Sequence, residues 1–390
     1  MKKTKILIVI GCYLPGYKAG GPIRSIANMI ELLGDEFKFS VITADRDLGE
    51  NEPYPGIQPG LWNPVGKAQV RYLSPEECSC LNMRRILNLH DYDLIYLNSF
   101  FMNFSIKVLW LRLVHQIPKR PILLAPLGEF SLGAIALKAY KKRPYIWFTN
   151  LISLYKGLIW KASSEFEAAD IRREMTTGFP NIHIVPDLVD IHPMKLAEAK
   201  KNKKLVGSLK VVFLSRISRM KNLDFALKLI AGIQGDIQFD IYGPIEDKPY
   251  WQECQKLIAK LSQNIQVRFC GFVQPDQVQK IFSNYHLFLF PTRGENFGHV
   301  IFESLSAGCP VLISDQTMWR DLEKKGVGWD LPLSEPKKFQ LVLQKYINMD
   351  EVKFETLSNK ATAFASVVAN NQKENNLKSY RHFFRNIFIP

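Results

Sequence analysis

The sequence of 390 residues has no run of about 18 apolar residues, the length that a membrane-spanning helix needs. It also has no low-complexity block and no internal repeat, and its 47% hydrophobic and 23% charged residues are ordinary for a globular protein. The start, MKKTKILIVIGCYLPG, imitates a signal peptide, but its apolar core, Ile6–Ile10, is shorter than such a signal requires. We therefore expect Ile6–Ile10 to form the first buried strand.

The six cysteines show no spacing typical of a disulfide framework or a metal site. Cys78 and Cys80 are too close together for a Cys-x-x-Cys pair, and no histidine cluster accompanies them. We expect reduced, buried or incidental thiols, which suits a cytoplasmic protein.

Acidic residues are nearly absent from one stretch of the chain. Between Phe101 and Lys161 there are ten Lys or Arg residues and one acid, Glu129, so this stretch carries +9 of the net charge of +14. Such a region is expected to meet an anionic partner: phosphate, a membrane surface or nucleic acid.

The chain is long enough for two domains, and buried runs alternate with helical patterns in both halves. In the first half, a helix is predicted at Pro22–Leu33 and strands at Ile6–Ile10, Phe39–Thr43, Leu94–Asn98, Ile122–Ala125 and Ile182–Pro186. In the second half, helices are predicted at Leu223–Ile230 and Gln252–Leu261, and strands at Val211–Leu214, Phe239–Tyr242, Val267–Phe269, Leu287–Phe290 and Pro310–Ser314. Strands that alternate with helices predict parallel, doubly wound sheets.

Two further segments complete the organisation. The polar, lysine-rich segment Lys195–Lys210 separates the two series and is expected to be an interdomain connection. The aromatic and basic tail Leu377–Ile387 has the pattern of an amphipathic helix.

The most informative segment is 287–314, LFLFPTRGENFGHVIFESLSAGCPVLIS. A buried strand ends at a proline, a helical pattern starts near Gly298, and a second buried run follows Gly308. Glu295 in the loop and Glu303 on the helix are separated by seven residues, beside a helix N-terminus that attracts anions. A carboxylate one turn into the helix can accept hydroxyl donors from a sugar or ribose. The alternative is that Glu295 is a loop charge and Glu303 a solvated helix position.

The carboxylate spacing, the ENFG sequence and the AGCPVL strand together resemble the Glu-x7-Glu signature of family 4 glycosyltransferases, or glycosyl transferases group 1. The resemblance covers nearly the whole chain and is most specific from Val211 to Ser314. It implies a retaining enzyme of the α/β GT-B fold, with two Rossmann-like, doubly wound domains facing each other across a cleft. It also implies an acceptor-side domain at 1–188, a linker at 189–208, a nucleotide-sugar donor domain at 209–375, and a last helix, 376–390, that crosses back onto the first domain.

Basic residues follow the first strand of the second half, in the sequence SRISRMKN. A leaving diphosphate needs fixed cations or a metal ion, and Arg216 and Lys221 lie five residues apart at the carboxyl end of that strand. In isolation they read as a solvated basic turn. They resemble the Arg-x4-Lys element that binds the donor pyrophosphate in family 4 enzymes, and Arg219 between them could share that role.

The resemblance assigns the carboxylates as well. It implies that Glu303 binds ribose, whereas Glu295 and the backbone of Phe297 and Gly298 hold the donor sugar.

Glycines lie in loops where family members contact the donor. Gly20 and Gly21, just before the favoured first helical residue Pro22, resemble the family's glycine-rich loop; the alternative is a flexible loop. Gly243 permits close approach of a ligand, or is a plain turn. Val273 lies where family members contact the base through backbone groups.

Glu129 lies in the loop APLGE after the strand Ile122–Ala125. Many family 4 members have a histidine hereabouts and this chain has none, but a subgroup with Gly-Glu in this place resembles the chain more closely. A carboxylate there could orient the acceptor or stabilise an oxocarbenium-like state. Alternatively, Glu129 balances the charge of Lys138 or Lys141.

Asp91-x-Asp93 imitates the metal-binding motif of the other large glycosyltransferase fold. That motif should follow a strand, whereas this one precedes the strand Leu94–Asn98, so we reject a metal site and expect both residues at the start of a strand. His299 and the other histidines lack ligand-like spacing, and we expect a metal-independent enzyme without a cofactor.

Residues 134–161 interleave Lys138, Lys141, Lys142 and Arg143 with aromatic side chains. This pattern suits peripheral contact with an anionic membrane. The alternative is helix packing beneath a solvated basic face.

The sequence thus predicts a hexosyltransferase-type enzyme that moves a sugar from a nucleotide-diphosphate sugar to an acceptor hydroxyl. Glu129 and Glu295 are the catalytic candidates, the acceptor is a sugar or lipid-linked sugar, and nucleic acid is not a partner. We expect a role in cell-surface polysaccharide or glycolipid synthesis, in the cytoplasm or at the inner face of the membrane. The alternatives are a nucleotide-sugar epimerase of the same fold and a non-enzymatic basic module that binds membranes.

Overall fold

A computed structural model describes residues 3–176, 180–188 and 203–387. The chain divides into two compact units, one formed by Met1–Asp190 with Gln372–Pro390 and the other by Ile191–Asn371. Most of the linker predicted at 189–208 lies outside the described residues.

The first unit alternates strands and helices in chain order. Its elements are β1 (Lys5–Val9), α1 (Gly21–Leu33), β2 (Lys38–Ala44), β3 (Trp62–Val65), β4 (Ala68–Leu73), α2 (Cys80–Leu89), β5 (Leu94–Asn98), α3 (Asn103–Leu113), β6 (Ile122–Ala125), α4 (Leu132–Ala136), α5 (Ala139–Leu151), β7 (Ile159–Ala162), α6 (Glu165–Glu174) and β8 (Asn181–Ile184).

The strands described in this unit form one sheet in the order β3-β4-β2-β1-β5-β6-β7-β8. The pairings are parallel, as predicted, except that the edge strand β3 runs antiparallel to β4. Successive residues of β1 enter different cores: Ile6 and Ile8 pack on one face, and Leu7 and Val9 on the other. Both faces of the sheet are therefore covered, as parallel sheets require.

The second unit has the same alternation. Its elements are β9 (Ser208–Leu214), α7 (Leu223–Ile230), β10 (Asp236–Tyr242), α8 (Lys248–Ile258), β11 (Ile265–Gly271), α9 (Val278–Phe282), β12 (Leu287–Phe290), α10 (His299–Ser306), β13 (Val311–Ser314), α11 (Leu322–Lys325), β14 (Gly328–Leu331), α12 (Pro336–Ile347) and α13 (Glu351–Asn386).

The described strands of this unit pair in the order β11-β10-β9-β12-β13-β14, and every pairing is parallel. Chain order runs outward from β9 in both directions, which is the doubly wound arrangement of nucleotide-binding folds. All residues of β12 and β13 are buried, which explains why these apolar runs were readable in the sequence.

The end of α13 belongs to the first unit. Leu377, Tyr380, Phe383 and Phe384 are buried in one of its two cores. The Tyr380 ring also lies 5.6 Å from the ammonium of Lys161. The amphipathic pattern of the tail therefore reflects packing within the first unit.

One sequence prediction needs correction. Lys195–Lys210 was expected to be a polar connection, but β9 already begins at Ser208 and Lys204 is only 2% exposed. The Lys204 ammonium donates to the carbonyls of Ile347 and Met349, at 3.2 and 3.0 Å, where α12 ends. A lysine that caps the last carbonyls of a helix can be buried because these groups satisfy its donors. The part before 203 lies outside the described residues.

Candidate active site

The site in the second unit lies where the order of the strands reverses. β9 and β12 are hydrogen-bonded neighbours although they are far apart in sequence. The loops that follow them therefore leave the same edge of the sheet side by side. Ligands bind at this position in open α/β sheets, and these loops carry Arg216, Lys221 and Glu295.

Lys221 and Glu295 form the central contact. Their Nζ and Oε2 atoms are 2.6 Å apart. Lys221 is 8% exposed, and its ammonium also lies 5.6 Å from the centroid of the Phe290 ring. A shielded, charge-assisted pair of this kind is strong, and it fixes the position of both groups. The structure thus brings together two of the predicted site residues.

The other cations of this loop are paired as well. Arg216 donates to Glu246 at 2.8 Å. Arg219 donates to both carboxylate oxygens of Glu253, at 3.0 and 2.5 Å, and its guanidinium lies over the Tyr250 ring. Any anion that binds here must compete with these carboxylates for the cations.

Sequence reasoning missed the residues that tie the two loops together. Asn222 donates to the carbonyl of Pro291 at 2.9 Å and accepts from Arg293 at 3.1 Å. The backbone N–H of Arg293 and the Thr292 hydroxyl both donate to the carbonyl of Met220, at 2.8 and 3.2 Å. Asn222 directly precedes α7, a position that favours asparagine, and this was the one usable sequence signal, although its side chain makes no capping hydrogen bond to the helix.

The helix with the second carboxylate starts at a crowded glycine. Gly298 precedes α10 with φ of 77°, and an added Cβ would lie 2.9 Å from Ile301 and 3.2 Å from Glu295. Only glycine fits both the left-handed backbone and this space. The Phe297 carbonyl accepts the indole N–H of Trp319 at 2.6 Å, and the Trp319 ring also stacks on Phe302 of α10, so the loop is held against the helix. Glu303 lies on α10 and is partly exposed.

Gly243 and Val273 follow the next two strands. A Cβ on Gly243 would lie 1.9 Å from the carbonyl oxygen of Ser215, and its φ is 133°. The close contact that requires this glycine is therefore with the backbone after β9. Val273 lies in the partly exposed loop after β11. Roles for both residues in binding a ligand stay predictions.

The first unit places Gly20 and Gly21 at the start of α1, directly before Pro22. An added Cβ on Gly20 would meet no atom within 4 Å. The loop before it is fixed because Asp47 accepts from the backbone of Tyr17 at 2.8 Å. The helix start therefore has open space beside it and a defined backbone, as a ligand-binding loop requires.

Glu129 holds the turn after β5. Its carboxylate accepts from the Ser99 hydroxyl at 2.7 Å and from the backbone N–H of Phe100 and Phe101 at 2.5 and 3.3 Å. Burial raises the pKa of Glu129, and these three hydrogen bonds and Lys142 oppose the rise. Ser99 adopts φ of 86°, a conformation that serine rarely takes without such support.

The alternative partners suggested for Glu129 were wrong. No ion pair joins Glu129 to Lys138 or Lys141 in the described chain. The cation that acts on its carboxylate is Lys142. The catalytic role proposed for Glu129 stays a prediction, and the structure adds a positioning role.

Helix α5 divides the basic segment into an inner and an outer side. Lys142 points inward, donates to the carbonyl of Ala134 at 2.7 Å and lies 5.1 Å from the Phe101 ring. Its inclusion among the membrane-facing residues was therefore wrong. The outward stripe is apolar: Tyr140, Trp147, Phe148 and Leu151 are 73%, 68%, 43% and 66% exposed.

The Asp-x-Asp pair lies at the start of a strand. Asp93 accepts from the backbone N–H of Lys5 at 2.8 Å, and Asp91 pairs with the Lys5 ammonium. Among the described residues, no three His, Cys, Asp or Glu side chains are grouped so that they could hold a metal ion. None of the described helices has both the length and the apolarity to cross a membrane.

Comparisons with known proteins fit this geometry. Residues 194–363 match the family model for glycosyl transferases group 1. The 2-deoxystreptamine N-acetyl-D-glucosaminyltransferase of Niallia circulans is 31% identical over 111 residues, which is 28% of each chain. The matches span from 26% to 62% of the length of the curated relatives.

The fold is found in solved structures at low sequence identity. HepE of Anabaena, in complex with UDP and glucose, superposes with a TM-score of 0.67 at 17% identity, over 96% of this chain and 100% of that one. WaaG, a glycosyltransferase involved in lipopolysaccharide biosynthesis, gives 0.66 at 14% identity, over 95% and 98%. The chain therefore has the α/β GT-B fold of two parallel-sheet domains. Within it, residues 194–363 belong to the glycosyl transferases group 1.

Proposed function

We propose that the protein is a retaining glycosyltransferase that moves a sugar from a nucleotide-diphosphate sugar to an acceptor hydroxyl. The observation that carries this proposal is the 2.6 Å contact between Lys221 and Glu295 at the reversal point of the second sheet. A cation and a carboxylate fixed together suit a donor that has a diphosphate next to a sugar: the cation takes the phosphate oxygens, and the carboxylate takes sugar hydroxyls.

In this proposal each site residue has one task. Arg216 and Lys221 neutralise the departing diphosphate, Glu303 binds ribose, and Glu295 positions the sugar. Two fixed cations and the N-terminus of α10 supply the charge that a metal ion would otherwise supply, so we propose that no metal is needed.

The experiment is a nucleotide-release assay on the full chain with a panel of nucleotide sugars and candidate acceptors. UDP-sugars come first, because HepE binds UDP and glucose. We expect one donor to release nucleotide only when an acceptor is present, and we expect activity to persist with a metal chelator. Loss of activity with chelator and rescue by a divalent ion would contradict metal independence.

Chromatography of the donor in the same reactions separates the alternatives. An epimerase would convert the donor sugar without any acceptor, and a non-enzymatic basic module would neither convert a donor nor release nucleotide. The stereochemistry of the product, read by NMR from the anomeric coupling, tests retention.

We also propose that the enzyme works at the cytoplasmic face of a membrane on a sugar or lipid-linked sugar, in cell-surface polysaccharide or glycolipid synthesis. The apolar outer stripe of α5, flanked by Lys138, Lys141 and Arg143, supports contact with an anionic bilayer. WaaG acts in lipopolysaccharide biosynthesis, which makes lipid-linked acceptors the first ones to test.

A further inference from the structure

A second basic site lies in the first unit, and none of its residues is among those assigned to the donor. A cavity of about 220 Å³ is lined by Trp62, Arg71, Arg85, Ile86, Leu89 and His90. These residues come from β3, β4 and α2 and from the turn after α2. A water molecule occupies about 30 Å³ in the liquid, so the cavity has room for a phosphate group.

The guanidinium of Arg71 is the most unusual feature of this cavity. Its Nε atom is buried and has no hydrogen-bond partner. A buried donor left unpaired costs free energy, and a charged one costs more. Such a group calls for a partner that fills the cavity.

No acid lines the cavity to provide that partner. The nearest carboxylate in sequence, Asp91, pairs with Lys5. Neither Arg71 nor Arg85 forms an ion pair with a described carboxylate. The cavity therefore contains two guanidinium groups, whose planar fork matches phosphate oxygens.

An aromatic wall closes one side. The rings of Trp62 and His90 are stacked with centroids 4.3 Å apart, and Trp62 is the cross-strand partner of Arg71. Burial lowers the pKa of His90, the charges of Lys38, Arg71 and Lys5 lower it further, and the charge of Asp91 opposes them. The charges of Lys38 and Arg71, which oppose a positive charge on His90, also attract an anion.

One exposed leucine, Leu89, lines the cavity, and two others are near the lining residues in the chain. Leu81, Arg85 and Leu89 follow one another at four-residue spacing along α2, and the two leucines are 77% and 76% exposed. Leu61, which precedes Trp62, is 59% exposed. These side chains would cover the apolar part of a ligand whose charged group enters the cavity.

We propose that Arg71 and Arg85, beside the Trp62–His90 stack, form a binding site for a phosphate group. The phosphate could belong to a free anion or to a lipid headgroup, and the leucines favour a phosphate attached to an apolar body. The site is independent of the proposed sugar transfer, because none of its residues is assigned to donor or acceptor.

The test uses the full chain and two arginines that are adjacent on α2. Arg84 and Arg85 are both exposed, but only Arg85 lines the cavity. Arg84→Gln and Arg85→Gln therefore change the net charge equally and differ only at the site. Arg71→Met keeps most of the side-chain volume and removes the guanidinium. If Arg71→Met does not fold, the pair on α2 carries the test alone.

Inorganic phosphate is titrated by calorimetry in phosphate-free buffer. We expect wild type and Arg84→Gln to bind phosphate with the same stoichiometry and affinity. Arg85→Gln should bind phosphate at this site about tenfold more weakly or not at all. In the second arm, sedimentation with phosphatidylcholine vesicles that contain phosphatidic acid should be weaker for Arg85→Gln than for Arg84→Gln if the source is a lipid, because any binding through α5 is common to both variants.

Either arm alone would support the proposal and identify the source. Equal behaviour of Arg84→Gln and Arg85→Gln in both arms would overturn it, and so would the absence of any binding by wild type. Neither readout uses a sugar donor, so failure here is distinguishable from failure of the proposed enzyme activity.

Discussion

Basic residues are used in two different ways in the two units. After β9, Arg216, Arg219 and Lys221 each hold a carboxylate at a short distance. On the outer side of α5, no described carboxylate pairs with Lys138 or Arg143, and their neighbours are exposed aromatic rings. Paired cations are fixed in advance and suit one small anion, whereas unpaired cations among aromatics suit an extended surface.

The largest expected effect comes from removing a paired cation of the second unit. Lys221→Ala and Arg216→Ala should each lower turnover about 100-fold or more, since both act on the charge of one leaving diphosphate. For the same reason the double variant should be little worse than either single variant. The measurement is kcat/KM for nucleotide release with the donor identified from the panel.

Arg219→Ala is the matched control for these variants. Arg219 lies on the same loop, but both terminal nitrogens of its guanidinium donate to Glu253, which lies on α8. We expect turnover within a few-fold of wild type. Wild-type activity in the Arg216→Ala/Lys221→Ala double variant would remove the assignment of this loop to the diphosphate.

The next effect concerns the two carboxylates. Glu303→Gln should weaken binding of the free nucleoside diphosphate by about tenfold, because ribose hydroxyls then donate to a neutral amide oxygen and no longer to a charged carboxylate. Glu295→Gln should leave that affinity nearly unchanged, because the glutamine oxygen can still accept from Lys221 and hold it in place, and should reduce sugar transfer, because the donor sugar loses a carboxylate acceptor. Calorimetry measures the nucleotide affinity of each variant, and the transfer assay measures its rate of sugar transfer. Equal losses of nucleotide affinity in both variants would show that the division of roles is wrong.

The sequence predicted most of the second sheet because its strands are buried on both faces and read as continuous apolar runs. The β3–β4 hairpin was missed because β3 is a partly exposed edge strand without an apolar run. Lys221 and Glu295 were found by motif, but Glu246 was not, since its contact with Arg216 depends on the loop after β10 lying beside the loop after β9. Pairings across neighbouring strands leave no local pattern.

The sequence also did not show which side chains of α5 face the interior of the first unit. Residues 134–161 looked like one basic and aromatic stretch, but a break at Lys138, with φ of 60°, separates α4 from α5. That break sets the rotation of α5, and therefore which lysines face inward. A sequence gives the periodicity of a helix but not its rotation about the axis when polar and apolar residues are mixed.

A smaller effect should separate adjacent lysines of α5. Lys142→Met should lower the free energy of unfolding by about 1–2 kcal/mol, because a charged hydrogen bond to Ala134 and the contact with Phe101 are lost. Lys141→Met, at an exposed position, should change it by less than about 0.5 kcal/mol. Urea unfolding followed by circular dichroism measures both. Equal effects would mean that Lys142 belongs with the outward residues after all.

The smallest expected effects concern the outer stripe of α5, one residue at a time. Each Lys or Arg near an anionic membrane contributes about 1 kcal/mol, so Lys141→Gln and Arg143→Gln should each weaken binding to anionic vesicles about fivefold. These losses should disappear at high salt because the attraction is screened. Trp147→Ser should weaken binding by a similar factor at every salt concentration, since an indole contributes through apolar burial.

Phe166→Ser is the control, because Phe166 is 58% exposed but lies on α6. Vesicle binding that is absent in wild type at low salt, or equally weakened by Phe166→Ser, would make α5 an ordinary solvated face and leave a soluble acceptor as the better proposal.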